Sequence, residues 1–154
     1  MDYRTDDGYM ALALEAAARA SEHDDVPVGC VVVINVQVIG VGENRRELDN
    51  DPTAHAELVA LRAAAEQMGR YRLDGATAYV TLEPCVMCGG ALLNARVARV
   101  VIGAMDEKAG AVGSRYNVLQ DPRLLHEADL TYGIRADESA ELLRAFFASK
   151  REAR

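Results

Sequence analysis

Two short segments hold most of the residues that could do chemistry, His55-Ala56-Glu57 and Pro84-Cys85-Val86-Met87-Cys88. Cys85 and Cys88 stand three apart, so on a helix they share one face and can grip a single ion. One imidazole and two thiolates suit zinc, and three protein ligands leave the fourth position open for water, as in a catalytic site. Taken alone, a Cys-x-x-Cys is also compatible with a redox pair or a structural zinc. Against the structural reading, the chain has no second Cys-x-x-Cys or His pair to close such a site. Glu57 alone would be a first-turn partner of the helix dipole; beside a zinc-bound water it becomes the natural proton carrier.

The elements that must position these residues follow from the pattern of side chains. His55 and Glu57, two apart, would diverge in mid-helix but can converge over a helix N-terminus. Two N-termini aimed at one ion would favour thiolates and a zinc-bound hydroxide, with the bound water's pKa near about 7. A capped helix is expected over about 8–22, after Asp6-Asp7. Residues 26–34 are apolar and rich in β-branched side chains, hence a strand buried on both faces. Asn35-Val36 would make a hairpin turn, unusual for its Val, into a strand over 37–42 and a polar loop over 43–52. Thr53 is expected to cap a helix running to about Met68 and closed by Gly69. A strand over 77–82, a short helix opened by Pro84 through about Asn94 and a strand over 99–102 come next. A long loop over about 104–122, a strand near 129–131 and a helix over about 137–149 complete the chain. Cys30 lies inside a buried strand and reads as a small core residue, not a fourth ligand. Alternating strands and helices imply an α/β fold with a central sheet covered on both faces.

Composition bounds the function classes. The chain has 154 residues, half of them hydrophobic and 27% charged, which suits one domain over 1–154 with a real core. No apolar run approaches the roughly 18 residues of a membrane span. The start, Met1-Asp2-Tyr3-Arg4, does not read as a secretory signal, so the three cysteines are expected to be reduced and the protein cytoplasmic. The net charge of −7 should repel nucleic-acid phosphates on average. RNA binding would therefore need a local basic rim. One candidate is the C-terminal stretch with Arg144, Lys150, Arg151 and Arg154, which equally reads as a solvated helix end.

The two chemical segments together form the H-x-E…P-C-x-x-C signature of zinc nucleobase deaminases. Asp25-Val26-Pro27-Val28-Gly29, Asn44-Arg45, 51–57, 81–88 and the loop 106–114 (Asp-Glu-Lys-Ala-Gly-Ala-Val-Gly-Ser) narrow this, and closely resemble the bacterial tRNA-specific adenosine deaminases. The resemblance runs from about Val26 to Phe147, and the 106–114 loop is its most specific mark. It implies a three-layer α/β/α cytidine deaminase-like sandwich with a central mixed sheet. It also implies a homodimer that converts adenosine to inosine at the wobble position of an arginine tRNA, acting on the anticodon stem-loop. On that resemblance His55, Cys85 and Cys88 would bind one Zn2+ per chain, and Glu57 would carry protons. Asn44 would meet the purine edge, Val28 would wall the base pocket, Asp106 would contact the target sugar, Lys108 a phosphate and Phe147 a neighbouring flipped base. Each has a plainer reading: Asn44 as a turn residue, Asp106 as a turn cap, Phe147 as core. Arg45, Arg70, Arg72, Lys108 and Arg115 could supply the basic rim. After Ser114 the chain lacks the histidines that some relatives carry near Gln120 and Asp121. A deaminase of a free nucleobase or nucleoside (cytosine, guanine or related), with the same zinc chemistry, is the competing class, and the acidic balance favours it. A silent zinc-binding partner subunit is disfavoured by Glu57, which such a subunit would not need.

Overall fold

Alternation along the strands decides the layers. A computed structural model of the protein describes residues 4–153. Met1, Asp2 and Tyr3 of the N-terminal start and Arg154 of the basic stretch lie outside them. Strand β1 (Gly29–Ile34) is buried throughout: Cys30, Val32 and Ile34 enter one apolar cluster while Val31 and Val33 enter another. Strands β3 (Thr77–Leu82) and β4 (Arg99–Ala104) divide likewise, with Val80 and Ile102 on the first side and Tyr79 and Val101 on the second. Helices α2 (Ala56–Met68) and α3 (Val86–Asn94) cover the first side. Helices α1 (Asp6–Glu22) and α4 (Ala136–Glu152) cover the second. With β2 (Gln37–Glu43) and β5 (Asp129–Tyr132) the sheet runs β2-β1-β3-β4-β5. The pairs β1–β2 and β1–β3 are antiparallel, whereas β3–β4 and β4–β5 are parallel, so the sheet is mixed and the architecture a three-layer α/β/α sandwich.

This pairing gathers the site. Because β1 runs against both neighbours, its first residues lie beside the ends of β2 and β3, with Gly29 opposite Glu43 and Cys30 opposite Val80. The segments at 26–28, 44–46, 82–85 and 105–109 therefore meet beyond one end of the sheet, past the carboxyl ends of β2, β3 and β4, where open α/β sheets bind ligands. Thr81 ties two of them, its hydroxyl accepting from the Gly29 amide at 3.1 Å.

Several expected boundaries moved, each for a local reason. Thr5 caps α1, accepting from the Gly8 amide at 3.0 Å, so the helix starts at Asp6. The strand expected from 26 begins at Gly29, because Pro27 has no N–H for the ladder. Thr53 does not cap α2: its amide and hydroxyl donate to Asp51 Oδ1 at 2.8 and 2.7 Å, and His55 occupies the N-cap. Pro84 stands two residues before α3, whose N-cap is Cys85. The last helix runs on to Glu152 and β4 to Ala104. The hairpin turn stands as read, with Asn35 and Val36 both left-handed (φ 49° and 60°); the Tyr9 hydroxyl donates to the Val36 carbonyl at 2.7 Å and pins it.

The loop after β2 is held from α1's end. Asp25, 1% exposed, accepts from the amides of Glu47 at 2.7 Å and Leu48 at 3.1 Å. His23 bridges Asp25 Oδ2 at 2.8 Å and Glu43 Oε2 at 2.5 Å, joining that bracket to the end of β2. Burial pulls the His23 pKa down, but the bonds to Glu43 and Asp25 more than offset this and hold it above 6.5. Protonated His23 thus stabilises the fold in full below about pH 6.5, and this contribution fades as pH rises through the raised folded value. Urea unfolding of His23→Gln should accordingly show its largest loss of stability on the acid side, shrinking towards alkaline pH; a pH-independent loss would leave the ring a packing role only. Glycines set the helix–sheet spacing: a Cβ on Gly42 would meet the Ala56 carbonyl oxygen at 2.2 Å, in the first turn of α2. Gly42→Ala should lower stability by about 1–3 kcal/mol. Gly90→Ala, in helix α3 with no neighbour within 4 Å, should raise it by about 0.5–1 kcal/mol in the same titration.

Candidate active site

A cavity of about 210 Å³ opens at this end of the sheet. It is smaller than the roughly 300–1,000 Å³ of sites for drug-sized ligands, and suits one heterocycle. At its floor the N-termini of α2 and α3 come together. His55 and Cys85 are the two N-caps, and neither side chain caps its own helix, which leaves imidazole and thiol for each other. His55 Nδ1 lies 3.4 Å from Cys88 Sγ and 3.7 Å from Cys85 Sγ, and the three ligand atoms all lie within 4.8 Å of one another. Zinc bonds of about 2.3 Å to sulfur and 2.0–2.1 Å to nitrogen set tetrahedral neighbours roughly 3.5–4 Å apart. The trio therefore fits one zinc ion.

The protein groups alone already favour a cation. Hydrogen bonds from Cys88 and His55 hold the Cys85 thiol down to about 3, against the opposing effect of burial. Cys88 is pushed far up by its bond to Cys85 and by burial, and the bond to Cys85 raises His55. The retained protons are those that a metal displaces when it binds.

Glu57 sits in the first turn of α2, 4% exposed, beside this cluster and on the cavity wall. Burial pushes its carboxyl up to about 7, the range in which one group both takes and gives a proton at neutral pH. Cys30 is fully buried in the core, its thiol pushed well up by burial and then by Glu57, and it is not among the clustered ligand atoms.

Three of the six other expected residues reach the cavity. Val28 and Asn44 line it, and Asn44 is itself braced: Nδ2 donates to the Val26 carbonyl at 3.2 Å and Oδ1 accepts from the Arg46 amide at 3.3 Å. Asp106 stands on the opposite wall. It does cap a turn, Oδ1 accepting from the amides of Lys108 and Ala109 at 3.1 Å each, while Oδ2 takes no part in those bonds. Arg45 does not line the cavity, because its guanidinium turns to Asp49 with contacts of 3.0 and 3.2 Å; Arg46 lines the wall instead. Lys108 is exposed beyond the lining, and Phe147, 45% exposed, packs edge-on against Phe146 on α4.

Glu83 is the residue that sequence reasoning missed. It directly follows β3, is 2% exposed, and lines the cavity. Oε1 accepts from the Asp106 amide at 3.0 Å and the Ser114 hydroxyl at 2.5 Å; Oε2 accepts from the amides of Val112 at 3.1 Å and Ser114 at 2.9 Å. Burial alone would raise its pKa, but these donors together hold it below the usual value. The only signal in the sequence was an acid immediately before Pro84-Cys85, and nothing local tied it to a loop more than twenty residues on.

The chain is similar to a tRNA-specific adenosine deaminase of Haemophilus influenzae, 45% identical over 148 residues, which is 96% of this chain and 86% of that protein. A solved structure from studies of A-to-I editing by tRNA:A34 deaminases at the wobble position is 46% identical, covers 88% of this chain and 98% of its own, and superposes with a TM-score of 0.85. A guanine deaminase from Nitrosomonas europaea shares the fold at 24% identity, with 92% of this chain and 84% of that chain covered and a TM-score of 0.79. The model of the cytidine and deoxycytidylate deaminase zinc-binding region matches residues 3–104, which takes in His55, Glu57, Cys85 and Cys88. The chain belongs to the cytidine and deoxycytidylate deaminase family of zinc-binding proteins.

Proposed function

We propose that the protein hydrolyses adenosine to inosine at the wobble position of a tRNA, with the arginine tRNA anticodon stem-loop as its expected substrate. The observation that carries this reading is a buried Glu57 beside a His55–Cys85–Cys88 cluster, at the floor of a cavity sized for one base. The tRNA-specific deaminases that the chain resembles over nearly its whole length decide which base is meant. His55, Cys85 and Cys88 would hold one zinc ion per chain. When bound, the ion supplies the Lewis acidity that activates a water for attack on C6 of adenine. Glu57 takes one proton from that water and passes it to the ring nitrogen as the C6–O bond forms. It then passes the second to the amino group, so that the C6–N bond breaks, ammonia leaves and the C6 carbonyl remains. Asn44 and Val28 would orient and wall the flipped base, Asp106 would meet its ribose, and Lys108, Arg45 and Phe147 would serve flanking nucleotides. No helix among the described residues is long and apolar enough to cross a membrane, and the proposed compartment is the cytoplasm, with the protein as a homodimer.

The acidic net charge of −7 supports a second reading, a deaminase of a free base or nucleoside. Incubating the zinc-loaded protein with an anticodon stem-loop, and separately with free nucleosides and bases, separates the two. Inosine formed only in the RNA is expected, and deamination of free compounds alone would overturn it.

The same protein tests the roles. Cys85→Ala should lose most of the zinc on metal analysis and Cys30→Ala little, whereas Glu57→Ala should keep zinc while single-turnover deamination falls by about 10²-fold or more. A Glu57→Ala variant that kept a tenth of the rate would not fit this assignment. Asp106 is acceptor-only, and a ribose 2′-hydroxyl can donate to it, whereas deoxyribose leaves it unpartnered. Asp106→Asn should therefore narrow the preference for the RNA hairpin over an identical DNA hairpin in single-turnover assays, and an unchanged ratio would leave Asp106 as a turn cap.

A further inference from the structure

Two glutamates line the cavity, and their partners differ in kind. Glu57 sits beside the metal-ligand cluster. The Glu83 carboxylate accepts four hydrogen bonds from the 106–114 loop, about the full capacity of its two oxygens. A carboxylate so filled is not placed to shuttle protons. Its donors are spread over nine residues of a loop with little regular structure of its own, so one side chain gathers the whole excursion. The loop's other ties lie close by: the Ala111 amide donates to the Pro84 carbonyl at 2.8 Å, and the Gly110 amide to the Asp106 carbonyl at 2.8 Å. Gly110 passes so near that a Cβ there would stand 2.2–2.3 Å from the Glu83 carboxyl atoms.

The chain leaves Glu83 through Pro84 directly into Cys85, so the end of β3 carries both the loop anchor and the start of a ligand-bearing helix. We infer that Glu83 is a positioning residue: it fixes the 106–114 loop against the metal-side wall and so sets where Asp106 meets the substrate at the cavity mouth. The inference rests on the proposed reading that Asp106 contacts the substrate's sugar. Glu83→Gln isolates the effect. With the amide oxygen at the Oε2 place, Val112 and Ser114 keep their acceptor and the Ser114 hydroxyl can turn to accept. Only the Asp106 amide is left facing a donor.

The test uses the zinc-loaded full chain with an anticodon stem-loop RNA, and follows zinc content, amide hydrogen exchange and steady-state kinetics together. Glu83→Gln should keep zinc, speed exchange at Asp106 and its loop neighbours, and raise KM about tenfold, the effect of one lost charge-assisted bond, while kcat stays within about threefold. The KM rise should vanish in an Asp106→Asn background, because the anchor acts through that residue. Gly110→Ala, which pushes on the carboxylate from the loop side, should reproduce the exchange and KM changes. Unchanged exchange and KM in both variants would overturn the inference. So would a KM rise that persists in the Asp106→Asn background, or zinc lost together with activity. Wild-type protein that left the hairpin untouched would instead end the tRNA reading; loop exchange would then decide the anchor alone, and unchanged protection would sink it.

Discussion

The site depends on gathering a buried carboxylic acid, a buried thiol, and a half-buried imidazole and thiol at one end of the sheet. Such groups survive desolvation only when each finds a charge or hydrogen-bond partner. Here the N-termini of α2 and α3 meet, and their positive ends favour the thiolate character that a metal requires. The same burial raises the Glu57 carboxyl to about 7, so the step that costs solvation is also the one that prepares an acid–base group. Glycine at 40 and 42 lets α2 lie directly on β2, which brings His55 and Glu57 to the end of the sheet where Cys85 arrives from β3.

The two walls above this floor are irregular backbone, and each is gathered by a buried acid. Asp25 collects the Glu47 and Leu48 amides on the side of Asn44 and Arg46; Glu83 collects those of Asp106, Val112 and Ser114 on the other. Both acids follow or end regular elements, α1 in one case and β3 in the other. The loops thereby acquire the rigidity of the layers they connect, which pre-organised sites require.

Charge works against an RNA substrate over most of the surface, and part of the expected basic rim is already paired. Arg45 pairs with Asp49, Arg72 with Asp74, Arg144 with Glu141 and Lys150 with Asp24. Pairs this exposed are worth little, so a phosphate can compete for the cation at small cost. Arg46 in the cavity lining, and Arg70, Lys108 and Arg115 of the expected rim, have no ion pair among the described residues. Attraction to a polyanion would rest on such local cations, and binding would be sensitive to salt.

How much was legible follows from how far each feature reaches along the chain. His55-Ala56-Glu57 and Pro84-Cys85-Val86-Met87-Cys88 announced a zinc-type ligand set with a carboxylate beside it, because ligand type and helical spacing are local properties. The run through Cys30 declared a strand buried on both faces, and the alternation of elements declared a sheet between helices, for the same reason. The N-cap of α2 was misjudged as Thr53 because Asp51, two residues back, competes for that hydroxyl, and only the folded turn shows who wins. Arg45 was preferred to Arg46 because neighbours in a loop have no period that says which one faces inward. Glu83 escaped notice because its partners lie 23 to 31 residues away, in a loop that β4 and its parallel pairing with β3 bring back. Side-chain type and spacing thus determined the chemistry, whereas strand order and register decided which residues share the cavity, because those contacts join segments that periodicity cannot relate.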